Sequence, residues 1–589
     1  MRAKAGDPPR TMAQKILTGR AATAALPAGD LVTVKVDQVV LARDLGRGLA
    51  EAASAGLKKT PVETAVAYDG LCVTAPQRPR TANVAELLAA GVLVARPGAG
   101  FPSPTHLERF ASPARLCVTD DPRLTGLGGA GMLTLVVPPA QLGAALATGS
   151  CVVRVPRTVQ VSLVGRTRPF VCARDVALEL LRRGIGDVVR DVEAKHGAPV
   201  VLEFTGPSAR ALSVSERAVL AALAPALGAA AAVFVSDERT EVFLRDERRS
   251  KAHRALAPDP GAPCDDVATV DLAGVDPLVL DDAGQVRGVR DVAGKPVSQV
   301  VLGGDGGVTL RDFFAAAALL KSKRVSARVD FLLAVPTRQM LEVLSSEGAL
   351  ADLVATGARL VEPDAGLLTG ALYPPPTDGV SLRSCEPDVR GVRPAAWVAS
   401  AETIAYAVAS GEVGDPRGFK RPVRVTVPRV LPTDDVLIVR ERRADAAGKA
   451  ASATPAVPAP TPWKAQTLAV IAPGAPATGP SLVVCATVDE ARDAVLRAVD
   501  GADVRAVIAP VFPRQLASVA AGVGALALRV DAAQLKACRA ASSAELPGLS
   551  AWDDGAASIA FGATKVPCAL LAVGVERAWL NAGTARAKK

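Results

Sequence analysis

The chain has 589 residues, 49% hydrophobic and 22% charged, with a formal net charge of +9. That length exceeds what one hydrophobic core organises, and the composition excludes general disorder, so several globular domains are expected. Aromatic residues are only 3%, which leaves Ala, Val and Leu to fill the cores and few rings to stack on nucleic-acid bases.

The first ten residues carry Arg2, Lys4 and Arg10 without an apolar run. They read as a tail with no secretory signal, so the expected compartment is the cytoplasm. Apolar and polar residues alternate over 31–36 after the Gly29-Asp30 turn, which predicts a strand. A short apolar strand over 64–70 reaches Asp69. The glycine run 126–131 has neither the lysine of a phosphate-binding loop nor the order of a dinucleotide fingerprint, so tight turns and close packing are its expected role. Residues 170–183 predict an amphipathic helix with Val176, Leu180 and Leu181 inward. Residues 201–244 read as a buried strand, a Gly-Pro loop, an Ala-rich helix starting near Ser213, a second strand and a charged loop. Within them, the apolar run 218–235 is long enough to cross a bilayer. It is mostly Ala and contains Pro225 and Gly228, so a buried helix followed by a strand is expected, and no membrane contact.

A polar, Asp-rich segment over 246–295 precedes a glycine loop around Asp305 and a helix from Leu310. A short strand over 331–335 follows. Two strand-like stretches are expected within 421–439, around Leu431-Pro432-Thr433. Residues 444–462 are Ala, Pro, Thr and Ser without periodicity and read as a flexible linker. Strands and helices alternate again over 463–583. The nine cysteines are scattered with no CxxC, which points to buried free thiols rather than a disulfide framework.

Glu203, Gly206, Leu212-Ser213, Glu216-Arg217, Leu227-Gly228-Ala229 and Asp237-Glu238-Arg239-Thr240 fall in order on a family pattern. Pro336-Thr337-Arg338, residues 397–417 and residues 501–514 continue it. On these motifs the chain resembles the aconitase / 3-isopropylmalate dehydratase superfamily along most of its length. The resemblance implies an α/β fold: three α/β/α domains with parallel sheets around a cleft, plus a C-terminal swivelling α/β domain. The implied division is a tail at 1–10, a core at 11–417 with parts at about 11–200, 201–295 and 296–417, and the start of the swivel domain at 418–443. The linker 444–462, the swivel domain 463–583 and a basic tail 584–589 complete it.

The resemblance also implies where a site would lie. Asp69 keeps the acid of an Asp-His pair whose histidine position is Gly70. His106 reaches a family histidine position only with three inserted residues, Ser103 being the ungapped counterpart, and a histidine in a surface loop is the plainer expectation. Asp120 matches the acid of a GDSHT loop, with Asp121 and Pro122 in place of its serine and histidine. Glu203 matches a glutamate that orients a catalytic histidine. Ser384 and, after a one-residue shift, Arg390 fall on an arginine-bearing loop in which Glu386 replaces the other arginine. Asp489 stands at a substrate-binding arginine position, and Arg514 has a family counterpart. The three cluster-cysteine positions are Asp305, Ala365 and Leu368, with Cys385 the nearest displaced thiol. A four-iron cluster needs three thiolates, so the 4Fe-4S cluster is expected to be absent and no metal is expected. The functional expectation is a non-catalytic binding, scaffold or regulatory protein with an unknown protein partner or a small carboxylate ligand. The alternative is a hydro-lyase with a rebuilt or cluster-free site, for instance a hard divalent metal on Asp305, Asp120, Asp121 and Glu203. RNA binding is a weaker alternative, prompted by the basic balance and by short groups such as Arg248-Arg249 and Arg440.

Overall fold

The computed structural model describes residues 8–22, 26–43, 45–69, 84–370, 372–386, 396–433, 435–440, 463–552, 556–572 and 575–582. The expected linker 444–462, the basic tail 584–589, Gly70 and Arg390 lie outside these residues.

Short runs of Val, Leu and Ala, mostly buried on both faces, make the central parallel strands. In the first sheet the order is Ile438–Val439, Leu93–Ala95, Thr64–Tyr68, Gln38–Leu41, Leu116–Thr119 and Leu133–Val136. All of these are parallel except the first pair. The second sheet, all parallel, runs Ala231–Phe234, Val200–Thr205, Arg157–Val164 and Asp266–Asp271. The third has five parallel strands, Ala396–Ala399, Val380–Arg383, Val297–Gly303, Asp330–Ala334 and Arg359–Leu360. Leu278–Leu280 and Val286–Gly288 extend it antiparallel. The C-terminal strands close into a separate seven-stranded barrel, four of them parallel from Gln466–Ile471 to Leu526–Arg529. This is the α/β class with parallel sheets, and the barrel is the form its last part takes.

Two boundaries differ from the sequence reading. The division expected near residue 200 falls inside the second sheet, which begins at Arg157 and takes its last strand from the Asp-rich segment. Residues 421–439 give one described strand rather than two, Ile438–Val439, and it pairs with Leu93–Ala95 of the first sheet. Pro422, Pro428 and Pro432 supply no N–H to a ladder, which explains the interruption.

Around residues 201–244 the two strands and the helix after Ser213 form as expected, whereas the expected Gly-Pro loop and charged loop are largely helical, as Pro207–Ala211 and Glu238–Asp246. Ser213 caps the helix Val214–Ala221 by accepting from Glu216 N, with the Glu216 carboxylate reaching back. The glycine run lies in the 3-10 helix Pro122–Ala130, pressed against that helix. A Cβ on Gly128 would overlap the Ala232 carbonyl oxygen, so close packing is what these glycines serve. Among the described residues no helix is long and apolar enough to cross a membrane. Of the eight described cysteines seven are buried and Cys264 is exposed, all as free thiols.

Candidate functional site

Loops at the carboxyl ends of parallel strands are where α/β sheets present side chains. Here four such loops and the C-terminal barrel unit meet around a cavity of about 360 Å³. Asp120 and Arg123 follow the strand Leu116–Thr119, Arg43 follows Gln38–Leu41, Asp305 follows Val297–Gly303, and Glu386 follows Val380–Arg383. The opposite wall is Asp489, Arg492, Leu496 and Val499 of the helix Val488–Val499, with Pro513, Leu516 and Val519 beyond it. Asp120, Asp305, Glu386 and Asp489, distant in sequence, therefore share one cavity.

Each carboxylate on that surface already has partners. Asp120 Oδ1 accepts from Ala42 N at 2.9 Å, and its two oxygens receive Arg43 N at 3.2 and 3.1 Å. Asp305 accepts from Ser103 N at 3.3 Å and lies 3.8 Å from the Arg123 guanidinium. Glu386 is ion-paired with Arg174, and Asp489 with Arg492 at 2.9 Å. Asp281 pairs with Arg287 at 2.8 Å, and Asp282 accepts from Trp397 Nε1 at 3.1 Å. Six carboxylates line it with the guanidiniums of Arg43, Arg123 and Arg492, and Arg174 and Arg287 neutralise two of the six from outside the lining. The remaining surface is Val, Leu, Pro, Ala and Gly. The described lining holds no histidine, serine, threonine, tyrosine, cysteine or lysine.

Next to Asp305, the positions read as cluster-cysteine counterparts sit in apolar packing. Ala365 and Leu368 belong to the short helix Ala365–Thr369 and are buried. Leu368 packs with Phe101, Val301, Leu332, Val361 and Cys385 in one apolar cluster. A Cβ on Gly304, at φ +104°, would overlap Cys385 Sγ, so glycine lets the loop carrying Asp305 approach that thiol. Burial pushes the Cys385 thiol up to about 11, with the Arg383 guanidinium pulling the other way.

Of the other sequence-predicted residues, His106, Glu203, Ser384 and Asp69 lie off the described cavity lining. His106 is not in a surface loop: it is wholly buried on the helix Pro102–Arg109. Its Nε2 is 2.8 Å from Gln38 Oε1 and its Nδ1 3.2 Å from the Tyr68 hydroxyl. Gln38 Nε2 donates to Phe110 O, which leaves Oε1 as acceptor, so His106 carries its proton on Nε2 and accepts from Tyr68. Burial, and secondarily Arg249, lowers its pKa to about 3. Pro102 and Pro104 fall in the first turn of that helix, where a proline costs no hydrogen bond.

Glu203 is buried in the strand Val200–Thr205 and accepts from Ala13 N at 2.8 Å, at the start of the helix Met12–Thr18. Burial raises its pKa, against hydrogen bonds from Ala13, Met12 and Thr11. Ser384 accepts from Gly303 N at 2.8 Å and donates to Gly303 O at 2.9 Å, a tie between adjacent strands. Asp69 ends its strand with its N–H on Ala95 O. Arg514 opens the helix Arg514–Gly522, and its side chain lies outside the described ones. The four acids of the divalent-metal alternative do not gather. Glu203 is held at a helix start outside the cavity lining, while Asp121 accepts from Arg123 N and lies 3.3 Å from Arg43 Nε. Of the basic groups considered for RNA, Arg249 donates to the Leu107, Glu108 and Ala111 carbonyls and Arg440 pairs with Asp435.

Sequence reasoning missed Arg43, Arg123 and Arg492 as cavity residues. Arg123 alone had a local signal, two residues beyond Asp121 in the GDSHT counterpart.

A family model described as aconitase family (aconitate hydratase) matches residues 81–286. A 3-isopropylmalate dehydratase large subunit 2 of Archaeoglobus fulgidus is 28% identical over 427 residues, covering 70% of this chain and 99% of its own. A 3-isopropylmalate dehydratase large subunit of Sulfurisphaera tokodaii is 27% identical over 428 residues, with 70% and 100% coverage. A probable large subunit of the same enzyme from Methanothermobacter thermautotrophicus is 29% identical over 315 residues, with 52% and 73% coverage.

Proposed function

This chain belongs to the aconitase-like superfamily, and on that premise we propose that it is a non-catalytic member whose cleft is kept as a binding site. The observation that carries the reading is the donor set beside Asp305. The three positions that the resemblance assigns to cluster thiolates hold a carboxylate, a methyl and an isobutyl group, and the last packs against Cys385 in an apolar cluster. One buried thiol and one carboxylate bound to Ser103 N do not fit a four-iron cluster, which takes thiolate ligands. The cavity lining adds support, because among the described residues it offers no imidazole, hydroxyl or amine to act on a bound hydroxy-acid and its acids are already bonded.

The same lining bears on the occupant. Once Arg174 and Arg287, paired with Glu386 and Asp281 from outside the lining, are counted, its six carboxylates face five guanidiniums, so no cationic excess draws in a di- or tricarboxylate. The fitting ligand has an apolar body and a neutral or cationic polar end, in place of the small carboxylate expected from the sequence.

The relatives named as dehydratases support the alternative, a hydro-lyase with a rebuilt site. An anaerobic assay decides between the two. Protein incubated with iron and sulfide under cluster-reconstituting conditions is offered 3-isopropylmalate and aconitate. The proposal expects no turnover above a protein-free control; turnover that disappears with Asp305→Ala overturns it.

A further inference from the structure

Three helices of the core begin at one buried point, and none of the three side chains that meet there lines the cleft cavity. Cys172 is the residue before the helix Ala173–Arg182, Asp312 is in the first turn of Leu310–Leu320, and Glu402 is in the first turn of Ala401–Ser410. The three side chains are 5%, 3% and 2% exposed. One ligand atom from each, the Cys172 sulfur and a carboxylate oxygen of Asp312 and of Glu402, lies within 4.8 Å of the other two.

The hydrogen bonds around them are asymmetric. Asp312 Oδ2 accepts from Thr309 N at 2.8 Å and from Thr309 Oγ1 at 3.0 Å. Arg311 Nη1 donates to Asp312 Oδ1 and to Glu402 Oε1, each at 3.1 Å. Glu402 Oε2 is buried and has no hydrogen-bond partner. An unmatched carboxylate oxygen in the interior is costly and uncommon, and it points to a missing electropositive group.

We propose that Cys172, Asp312 and Glu402 form a binding site for a divalent cation of the zinc class, one that ties the starts of these three helices together. The donor chemistry selects the ion. A thiolate with two carboxylates suits a borderline cation, and neither Mg²⁺ nor Ca²⁺ takes sulfur. Charge closes as well. A thiolate and two carboxylates carry −3, and Arg311 with a divalent ion carries +3, so the guanidinium keeps its place when the ion binds. Ligand atoms on a tetrahedral zinc stand about 3.5 Å apart at ordinary bond lengths, a small contraction from the observed grouping. The site shares no residue with the cleft lining, and the proposal does not depend on whether the cleft is catalytic.

The test uses the full chain, freed of metal by chelation and titrated with Co²⁺ and Zn²⁺. The expected result is one equivalent of Co²⁺ bound with a sulfur-to-metal charge-transfer band in the near ultraviolet, and its displacement by Zn²⁺. Cys172→Ser removes the band, and Glu402→Gln weakens Zn²⁺ binding by about tenfold or more. Should Cys172→Ser fail to fold, X-ray absorption of the zinc-loaded natural protein reads the ligands directly, with one sulfur and otherwise oxygen neighbours expected. Absence of tight zinc binding by the natural protein, a band that survives Cys172→Ser, or a zinc shell without sulfur would each overturn the proposal.

Discussion

His106 shows how far a residue's role depends on its surroundings. Its folded pKa of about 3 lies below the ordinary 6.5, because the buried imidazole is held neutral between Gln38 and Tyr68. A depressed pKa contributes stability that is present above pH 6.5 and is lost as pH falls towards 3, because the unfolded chain takes up a proton that the folded one refuses. His106→Gln keeps a donor and an acceptor and removes this titration. On moving from pH 7 to 4.5, the natural protein is expected to lose roughly 2–3 kcal/mol more unfolding free energy than the variant, read by urea titration at both pH values. Equal losses would mean that the imidazole does not stay neutral. Glu203 makes a second residue-scale case. Glu203→Ala leaves the N–H of Ala13 unbonded in the interior and is expected to cost about 1–3 kcal/mol, against less for Glu203→Gln, which keeps an acceptor. In the sequence these two residues were visible as family positions only. Their actual partners come from elements 68 and 190 residues away, which no local pattern encodes.

At the scale of elements, much could be read directly, because the signals are local. The helix expected from near Ser213 starts there, and the apolar runs over 64–70 and 331–335 became the strands Thr64–Tyr68 and Asp330–Ala334. Sheet membership was not legible, because pairing is decided by distant partners. The Asp-rich segment gives strands to two different sheets, and Ile438–Val439 joins the first sheet at its edge. The glycine run is the element most sensitive to a single atom. Gly128→Ala would drive a Cβ into the Ala232 carbonyl and is expected to leave little soluble folded protein. Gly126→Ala, whose nearest neighbours would stand at 3.2 Å, is expected to express and unfold near the natural protein. Expression and thermal unfolding of the pair check this, and a well-folded Gly128→Ala would contradict the packing described.

At the scale of the molecule, the cavity exists because the barrel unit sits on the core. Arg47 Nη1 donates to Val499 O at 2.6 Å and Arg492 Nη2 to Pro225 O at 3.1 Å, and each bond crosses that junction. Removing both side chains in Arg47→Ala/Arg492→Ala is expected to open the cleft, seen as a larger radius of gyration by small-angle scattering with the barrel still folded. An unchanged radius would place the closing interactions elsewhere. The sequence could supply the order of the parts and the substitutions at Asp305, Ala365 and Leu368. It could not supply the pairing of each cleft acid, which arises only when loops from several units converge. The central claim is that this cleft carries no iron-sulfur chemistry, and the measurement that meets it most directly is iron and acid-labile sulfide content with an absorption spectrum, on protein purified without oxygen. The account predicts a colourless, folded protein with iron and sulfide far below one cluster per chain. Stoichiometric iron and sulfide with a broad visible absorption would contradict it.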